Sequence, residues 1–454
     1  MRLVLTWMVG IAVLPMLAEA GWLMDVVGTH PDGLMLVDVG DGRNDGLQRV
    51  YTSSLNGHLL EWSYEGGSWV LTNCGGNSHD KMMGLCIGDG RNDGVNRVYA
   101  AHSSGLIYEF TYTAGRWVMD TVDATIGYGM GVCIGAGRDD DTNRVFGAGW
   151  PNQREYTWES AGWRQLDLSN DGHTARKFVI ADGRNDGGQR VYGAYHDSCV
   201  REYTWQSGAY VEELLSVSTQ AMNVAAGPTR GDGITRIYVA GRFGHIYEYT
   251  YESGAWRRID IMPGAPDLAR YGLYIGCARR DGKPRLYSAA AGGGAFEHSW
   301  IGNAWSDSTI DAVSGASGDI TVGVGRNDGI PRVYVNGCLN GILFEFTNTE
   351  FVLIKSRTDR PPSRLFVVHA APNPFATKVA ITYLVPRRTD VRVAVYDAGG
   401  AEACRLVDEP QDAGLHTVRF GGHNARGVPL APGVYFCRVQ CGPFYKTVKV
   451  VKLD

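Results

Sequence analysis

The sequence predicts an all-β protein, a seven-bladed β-propeller followed by a small β-sandwich. Three observations predict it. A tract of the form GRNDG..RVY recurs along most of the 454 residues, each recurrence brings four short extended runs, and the last fifth of the chain follows another pattern. Repeats of this length with four strands are typical of propeller blades, which bury their faces only by stacking on neighbours.

The repeat is measured by the second arginine of the tract, which recurs every 46 to 49 residues. These arginines are Arg49, Arg97, Arg144, Arg190, Arg236, Arg285 and Arg332. A glutamate follows in each copy, at Glu61, Glu109, Glu155, Glu202, Glu248, Glu297 and Glu345. An aromatic residue follows a short turn, at Trp69, Trp117, Trp163, Tyr210, Trp256, Trp305 and Phe351. Seven copies predict seven blades.

Each repeat contains four extended runs, which in the second copy are GLCIG, RVYAAH, LIYEFTY and RWVMDTV. They are rich in β-branched and aromatic residues and are separated by glycine turns, the pattern of short strands. Two segments compete to complete the last blade. They are GWLMDVV (Gly21–Val27) and EFVLIKS (Glu350–Ser356), and the sequence leaves the choice open.

The repeated loop is similar to the acidic calcium-binding loops of FG-GAP or VCBS propellers, but it differs at two ligand positions. Arg91 and Arg97 stand where such a loop carries oxygen ligands. We therefore expect a structural loop without metal, in which Asp93 is held by Arg91 or Arg97 and Glu109 binds the other arginine.

The repeated loops lie together on one face of the predicted propeller. The loops on the opposite face do not repeat, and a binding site is expected there. The candidate binding residues are His58, His102, Trp150, Tyr195, His196, Asp197, Arg242 and His245. Aromatic and polar side chains of this kind suit a glycan or a protein partner. The sequence predicts a binding protein that uses this face.

Two other functions stay open. A secreted enzyme acting on polysaccharide, a lyase or glycosidase, would need carboxylates that meet on the propeller axis. A structural surface component would need no ligand. The sequence carries none of the common hydrolase, metalloprotease or phosphate-loop motifs, so it nominates no catalytic residue, metal or cofactor. The net charge of −5 gives no reason to expect nucleic acid as a partner.

The first 20 residues predict an export signal. Arg2 precedes an apolar stretch, Leu3–Leu17, and Ala18–Ala20 matches an A-x-A cleavage site. No later run approaches the length of a membrane span, so we expect a secreted or cell-surface protein. The nine cysteines cannot all pair within the chain. Cys86 and Cys133 are expected as free thiols, and the pairing of Cys404 with Cys437 or Cys441 is left open.

The domain boundaries predicted are a signal at 1–20, the propeller at 21–357, a proline-containing linker at 358–365 and a C-terminal unit at 366–454. The C-terminal unit alternates apolar and polar residues and predicts a sandwich. It resembles the C-terminal sorting domain of the type IX secretion system and the related FlgD-like immunoglobulin-like domain. The residues that carry the resemblance include Pro372, Asn373, Pro374, Phe375, Gly433 and Tyr435. The resemblance implies an immunoglobulin-like fold and a partner in the secretion machinery.

Overall fold

The computed structural model describes residues 21–453, apart from residues 78–79, 161, 170–171, 217–219, 264–268, 280, 292–293, 312–317, 339, 349–365, 372–373, 386–387, 413 and 442–443. Within these residues all regular structure is β-strand, and the first 28 strands form seven four-stranded antiparallel sheets. This confirms the all-β propeller, and the seven sheets agree with the seven repeats.

The propeller strands follow one another in chain order. They are β1 (Trp22–Thr29), β2 (Leu34–Gly40), β3 (Arg49–Ser54), β4 (His58–Glu65), β5 (Ser68–Gly76), β6 (Met82–Gly88), β7 (Arg97–His102), β8 (Ile107–Thr113), β9 (Arg116–Asp123), β10 (Gly127–Gly135), β11 (Arg144–Pro151), β12 (Gln153–Glu159), β13 (Gly162–Ser169), β14 (Ala175–Ala181), β15 (Arg190–Tyr195), β16 (Cys199–Gln206), β17 (Ala209–Ser216), β18 (Ala221–Gly227), β19 (Arg236–Gly241), β20 (Ile246–Glu252), β21 (Ala255–Asp260), β22 (Arg270–Gly276), β23 (Arg285–Ala290), β24 (Gly294–Ile301), β25 (Ala304–Asp311), β26 (Ile320–Gly323), β27 (Arg332–Asn336) and β28 (Ile342–Asn348).

The ring is closed by the N-terminal strand. β1 pairs antiparallel with β28, from Trp22 opposite Asn348 to Thr29 opposite Ile342, and so becomes the outermost strand of the last blade. Of the two segments that the sequence leaves in competition, the N-terminal one takes this place. The competing segment, residues 350–356, lies outside the described residues.

The blades adhere through apolar clusters that span neighbouring sheets. One cluster joins Tyr99 and Ile107 of the second blade to Val132, Val145 and Tyr156 of the third, all of them buried. Because each blade is covered on both faces, its middle strands are buried on both sides, as throughout β3 and β7. No blade can bury these faces alone, so stacking of neighbours drives the ring to form.

The loops between the first and second strands of the blades form a uniform face, and each loop is held by two arginine–carboxylate pairs. In the second blade, Arg97 binds Asp93 through two hydrogen bonds of 2.8 and 2.7 Å. Arg91 binds Glu109, which is fully buried and also accepts a hydrogen bond of 2.7 Å from the hydroxyl of Tyr99. The arginines therefore occupy the positions where a calcium loop would place ligands, and they neutralise both carboxylates.

The same two pairs recur in every blade. The arginine–aspartate pairs are Arg49–Asp45, Arg97–Asp93, Arg144–Asp140, Arg190–Asp186, Arg236–Asp232, Arg285–Asp281 and Arg332–Asp328, with N–O distances of 2.6 to 2.7 Å. The arginine–glutamate pairs are Arg43–Glu61, Arg91–Glu109, Arg138–Glu155, Arg184–Glu202, Arg230–Glu248, Arg279–Glu297 and Arg326–Glu345. The hydrogen bond from Arg97 lowers the pKa of Asp93 to about 2.

The glycines and the asparagine of the GRNDG tract are required by the space around the backbone and by its conformation. A Cβ at Gly90 would lie 2.8 Å from the hydroxyl of Tyr99, so the position has no room for a side chain. Asn92 has a φ of 57° and Gly94 a φ of 80°, the left-handed region that asparagine and glycine adopt most readily. The folding requirements of the loop therefore explain why the same residues recur in it from blade to blade.

Neighbouring loops are also joined to one another. The side chain of Asn92 donates to the carbonyl of Asn143 in the next blade (2.9 Å) and accepts from its amide (2.8 Å). Asn327 makes the same two contacts with Gln48 across the closure of the ring. The guanidinium of Arg91 also stacks 3.7 Å from the ring centroid of Trp158. Arginine–aromatic contacts of this kind cross every junction between neighbouring blades, so the uniform face forms a continuous belt.

The third blade departs from this pattern and compensates. Phe146 replaces the usual tyrosine, so Glu155 loses a hydroxyl donor from its own blade. In the fourth blade Tyr210 replaces the usual tryptophan, and its hydroxyl donates to Glu155. The two substitutions keep one tyrosine hydroxyl on the buried carboxylate, which also accepts a hydrogen bond from the hydroxyl of Thr157.

The C-terminal unit consists of two antiparallel sheets. Its strands are β29 (Phe366–Ala371), β30 (Val379–Val385), β31 (Thr389–Tyr396), β32 (Glu402–Gln411), β33 (Gly414–Phe420), β34 (Gly433–Cys441) and β35 (Phe444–Lys452). One sheet has the order β29-β30-β33 and the other β32-β31-β34-β35. Their core includes Ile381 and Phe420 from the first sheet and Val393, Val439 and Val450 from the second. The immunoglobulin-like identity of this sandwich stays a prediction.

Candidate functional site

A ring of residues surrounds the propeller axis near the irregular face, which is the face opposite the uniform one and carries the loops that do not repeat. Its members lie fourteen residues before the second arginine of each loop and are Met35, Met83, Met130, Arg176, Met222, Tyr271 and Gly318. In the first six blades this residue sits in a β-bulge at the start of the innermost strand. A bulge re-aims the side chain of the extra residue, and here the bulges direct a mostly apolar ring to a common cavity.

The cavity has a volume of about 480 Å³. Its wall is largely apolar, since the four methionines of the ring are joined by Leu36, Leu85 and Val132. Four polar side chains interrupt the wall: Arg176, Lys177, Asn223 and Asp319. An apolar pocket with a few placed polar groups is the usual form of a binding site.

Two polar side chains of this wall carry oxygens that have no hydrogen-bond partner among the described residues. Asp319 and Asn223 are both at least nine-tenths buried, and the Oδ1 atom of each accepts no hydrogen bond from the described residues. The amide of Asn223 donates instead to the carbonyl of Tyr271, at 2.7 Å. Burial also raises the pKa of Asp38 to about 6, and the nearby charge of Lys177 opposes this rise. A ligand with hydrogen-bond donors would satisfy the free oxygens.

Three basic side chains lie together on the rim of the cavity. The Nε–H group of Arg176 donates to Nε2 of His196, and Arg242 donates to the side chain of Gln220 at 2.8 Å. Burial, with the charges of Arg176 and Arg242, lowers the pKa of His196. His196 is therefore a neutral acceptor at pH 7, and the two arginines carry the positive charge.

Exposed aromatic rings lie along part of the same rim. Tyr128 and Trp150 are cross-strand partners at the edge of the third blade, and Phe243 and Tyr271 belong to the fifth and sixth. Their exposed fractions are 43%, 53%, 49% and 41%. The other large hydrophobic side chains of the propeller that are described as exposed are aliphatic and lie on outer strands or on turns of the uniform face, such as Leu214 and Ile234. Exposed aromatic surface in the described propeller is thus concentrated on one half of the irregular face.

The structure brings together three of the eight candidate residues. Trp150, His196 and Arg242 lie on this half of the face. His102 and Tyr195 are fully buried, the first bonded to Ser104 and the second to Tyr203, so neither is available to a ligand.

The other three candidates are engaged in local contacts. Asp197 is bound by Arg201, with N–O distances of 3.1 and 2.6 Å. His245 contacts Asp260 at 2.7 Å, and His58 contacts Asn73. These contacts order the loops around the rim.

Sequence reasoning missed the axial ring and its neighbours, above all Arg176 and Tyr271. The signal was present, because aligning the seven repeats on their second arginine places the ring in one column. The variety of that column, four methionines with an arginine, a tyrosine and a glycine, contrasts with the constancy of the loop.

The residues of the sorting resemblance fall into different environments. Pro372 and Asn373 lie outside the described residues, and Pro374 is exposed. Phe375 is buried in the sandwich core. Tyr435 follows Gly433 at the start of β34, and its hydroxyl donates to the carbonyl of Ala431 at 2.7 Å. Phe375 and Tyr435 thus stabilise the sandwich.

Several further features bear on the chemistry available. All nine cysteines are free thiols. Among the residues that the structure describes, no group of three His, Cys, Asp or Glu side chains is placed to hold a metal ion. In the same part of the chain, no helix has the length and apolarity needed to cross a bilayer.

The fold is similar to several solved propeller structures. A chain from the crystal structure of BBS1N in complex with ARL6DN has a TM-score of 0.52 at 11% identity, with 74% of this chain and 99% of that chain covered. The β-propeller domain of Cps50 (Swd1) from Myceliophteria thermophila has a TM-score of 0.51 at 9% identity, covering 71% and 99%. YCF48 from Cyanidioschyzon merolae has a TM-score of 0.50 at 12% identity, covering 72% and 98%. At these identities the similarity shows the fold alone.

No protein-family model matches the chain, and no curated protein matches it.

Proposed function

We propose that this protein is an exported or cell-surface binding protein whose irregular propeller face holds a segment of a partner protein. The observation that carries the proposal is the concentration of exposed aromatic rings around the axial cavity. Tyr, Trp, Met and Arg are the side chains most enriched at the centres of protein interfaces, and all four occur here.

A protein segment fits the cavity better than a glycan does. Sugar sites combine aromatic faces with many polar groups that match hydroxyls, whereas methionine is the commonest residue in this wall and most of the wall surface is apolar. Methionine side chains adapt to apolar side chains of different shapes. The BBS1N structure, a propeller in complex with ARL6DN, offers an analogy for protein recognition on this fold.

The proposed export depends on the N-terminal signal and on the resemblance of the C-terminal sandwich to sorting domains. Mass spectrometry of the protein from the extracellular fraction tests it. We expect a mature N-terminus at Gly21, and retention of residues 1–20 would contradict export by cleavage.

The enzyme alternative has one observation in its favour, a pair of aspartates near the axis. Asp38 and Asp319 influence each other electrostatically, and burial raises the pKa of both. Of the two, the described wall of the cavity includes Asp319 but not Asp38. Only one carboxylate is thus placed to meet a ligand, and the geometry supports binding better than hydrolysis by a carboxylate pair.

The test is peptide display on the full chain. A random 12-residue peptide library is selected for binding, and the selected peptides are measured by biolayer interferometry. We expect micromolar binding that falls at least about tenfold in the double variant Trp150→Ala, Tyr271→Ala, since exposed aromatic anchors carry much of interface affinity.

The matched control is Leu214→Ala, which removes an equally exposed apolar side chain from an outer strand. It should leave the affinity unchanged. Selected peptides that bind the double variant as well as the wild type would overturn the proposed face. A glycan array and a polysaccharide turnover panel run in parallel, and a specific positive there would overturn the choice of a protein partner.

A further inference from the structure

The two rim arginines differ from those of the uniform face in their partners. Each loop arginine of the uniform face is bound to a carboxylate of its own blade, as Arg97 is to Asp93. Arg176 and Arg242 bind only His196 and Gln220 among the described residues, and both of those partners are neutral. Among the described residues, neither the half-buried Arg176 nor the exposed Arg242 contacts a carboxylate. The fully buried Arg270 contacts no carboxylate either, but its guanidinium donates to the carbonyl of Gly244 and to the hydroxyl of Ser288.

Hydrogen bonds to neighbouring residues fix the positions of the two arginine side chains. His196 accepts the Nε–H of Arg176 and is itself tied by its backbone amide to the carbonyl of Thr174, at 3.0 Å. Arg242 is anchored to Gln220 by its side chain at 2.8 Å and by its backbone amide at 3.0 Å. Fixed guanidinium groups recognise carboxylates by paired hydrogen bonds at a small entropic cost.

The electrostatics agree with this geometry. Burial lowers the pKa of Arg176, and the neighbouring charge of Arg242 lowers it further. An anion between the two arginines would relieve both effects, because it replaces lost solvation and screens the repulsion.

We propose that Arg176 and Arg242 bind the carboxylate of an acidic residue in the partner segment, next to an apolar side chain that enters the methionine-lined cavity. Arg176 belongs to both features, since it lines the cavity and lies on the rim. The acidic and apolar residues are therefore expected within a few positions of each other. This inference depends on the proposed function, because it specifies the segment that the irregular face binds.

The experiment uses the peptides selected on the full chain. We expect enrichment of Asp or Glu beside Leu, Ile, Met or Phe. Replacing that acidic residue by its amide should weaken binding to the wild type about tenfold or more, the worth of a charge-assisted hydrogen-bond pair.

The variants Arg176→Gln and Arg242→Gln test the assignment. Each should bind the acidic peptide and its amide with nearly equal affinity, while Arg176→Lys should keep part of the preference because it retains the charge but not the fork. The control Arg257→Gln removes an arginine whose side chain is 72% exposed on an outer strand, and it should leave the preference intact. Circular dichroism and thermal unfolding confirm that the variants fold.

The outcomes separate this inference from the proposed function. Peptides that lose affinity with the aromatic double variant but show no acidic preference would overturn the inference and leave the proposed function in place. A preference for basic residues, or an acidic preference that survives both arginine variants, would also overturn the inference. The absence of any selected peptide sensitive to the aromatic double variant would contradict the proposed function itself.

Discussion

The two faces of the propeller use the same residue type for opposite purposes. On the uniform face, arginines such as Arg97 are bound to carboxylates of the same blade. On the irregular face, Arg176 and Arg242 contact neutral partners. The repeated arginines thus stabilise the fold through their carboxylates, whereas the two rim arginines are the ones that we propose for ligand binding.

The largest expected effect is a loss of stability when a buried carboxylate is removed from the uniform face. Glu109 is fully buried and is bound by Arg91 and Tyr99, so Glu109→Gln leaves buried donors without their charged acceptor. We expect the free energy of unfolding, from urea denaturation, to fall by about 3 to 5 kcal/mol. The control Glu252→Gln removes a half-exposed glutamate and should cost under about 1 kcal/mol. Equal effects of the two changes would refute the structural role of Glu109.

A milder test concerns the compensation in the third blade. Tyr210→Phe removes the hydroxyl that donates to Glu155, and we expect a loss of about 1.5 to 3 kcal/mol in the free energy of unfolding. The double variant Phe146→Tyr, Tyr210→Trp restores the arrangement of the other blades and should recover most of that loss. Tyr128→Phe, at an exposed ring, is the control and should change stability little. A double variant no more stable than Tyr210→Phe would show that the two positions are not coupled in this way.

On the irregular face the same kind of truncation should affect binding instead of stability. Trp150 is more than half exposed, so Trp150→Ala should change the free energy of unfolding by less than about 0.5 kcal/mol. It should nevertheless reduce the affinity for display-selected peptides by about tenfold. The measurements are urea denaturation and biolayer interferometry on the same samples. A large loss of stability with unchanged affinity would reverse the assignment of the two faces.

The smallest expected effect is a pH-dependent one. Arg97 lowers the pKa of Asp93 to about 2 in the folded protein, below the value of about 4 in an unfolded chain. The ionised aspartate therefore contributes stability above about pH 4, and that contribution is lost as the pH falls towards 2. Wild type should have a higher Tm than Asp93→Asn at pH 6, and the gap should close by pH 2. Because Asp93 is partly exposed, the gap should be small, and a gap that widens towards low pH would contradict the pairing.

Local patterning explains how much of the fold could be predicted. The tract and its spacing predicted the all-β propeller, because every blade repeats the two ion pairs that Arg97 makes with Asp93 and Arg91 makes with Glu109 in the second blade. The sequence could not decide whether Arg91 or Arg97 binds Asp93, because both arginines lie near it in the chain. In the folded blade Arg97 reaches Asp93 across one turn, and Arg91 reaches Glu109 on the third strand.

The candidate site was predicted only in part, for a physical reason. Trp150, His196 and Arg242 were nominated because they lie in loops that do not repeat, and their role in binding stays a prediction. His102 and Tyr195 come from the same kind of sequence but are buried, because burial depends on how neighbouring blades pack.

The sequence by itself determined the number of blades, the constancy of one face and the position of the variable loops, because these depend on contacts within a repeat or between adjacent repeats. The tertiary structure alone decided which terminal strand completes the last blade. It alone brought the seven residues of the axial ring, six of them at β-bulges, from the whole length of the propeller around one axis. Residues such as Met35 and Arg176 are far apart in the chain, and only closure of the ring makes them walls of the same cavity.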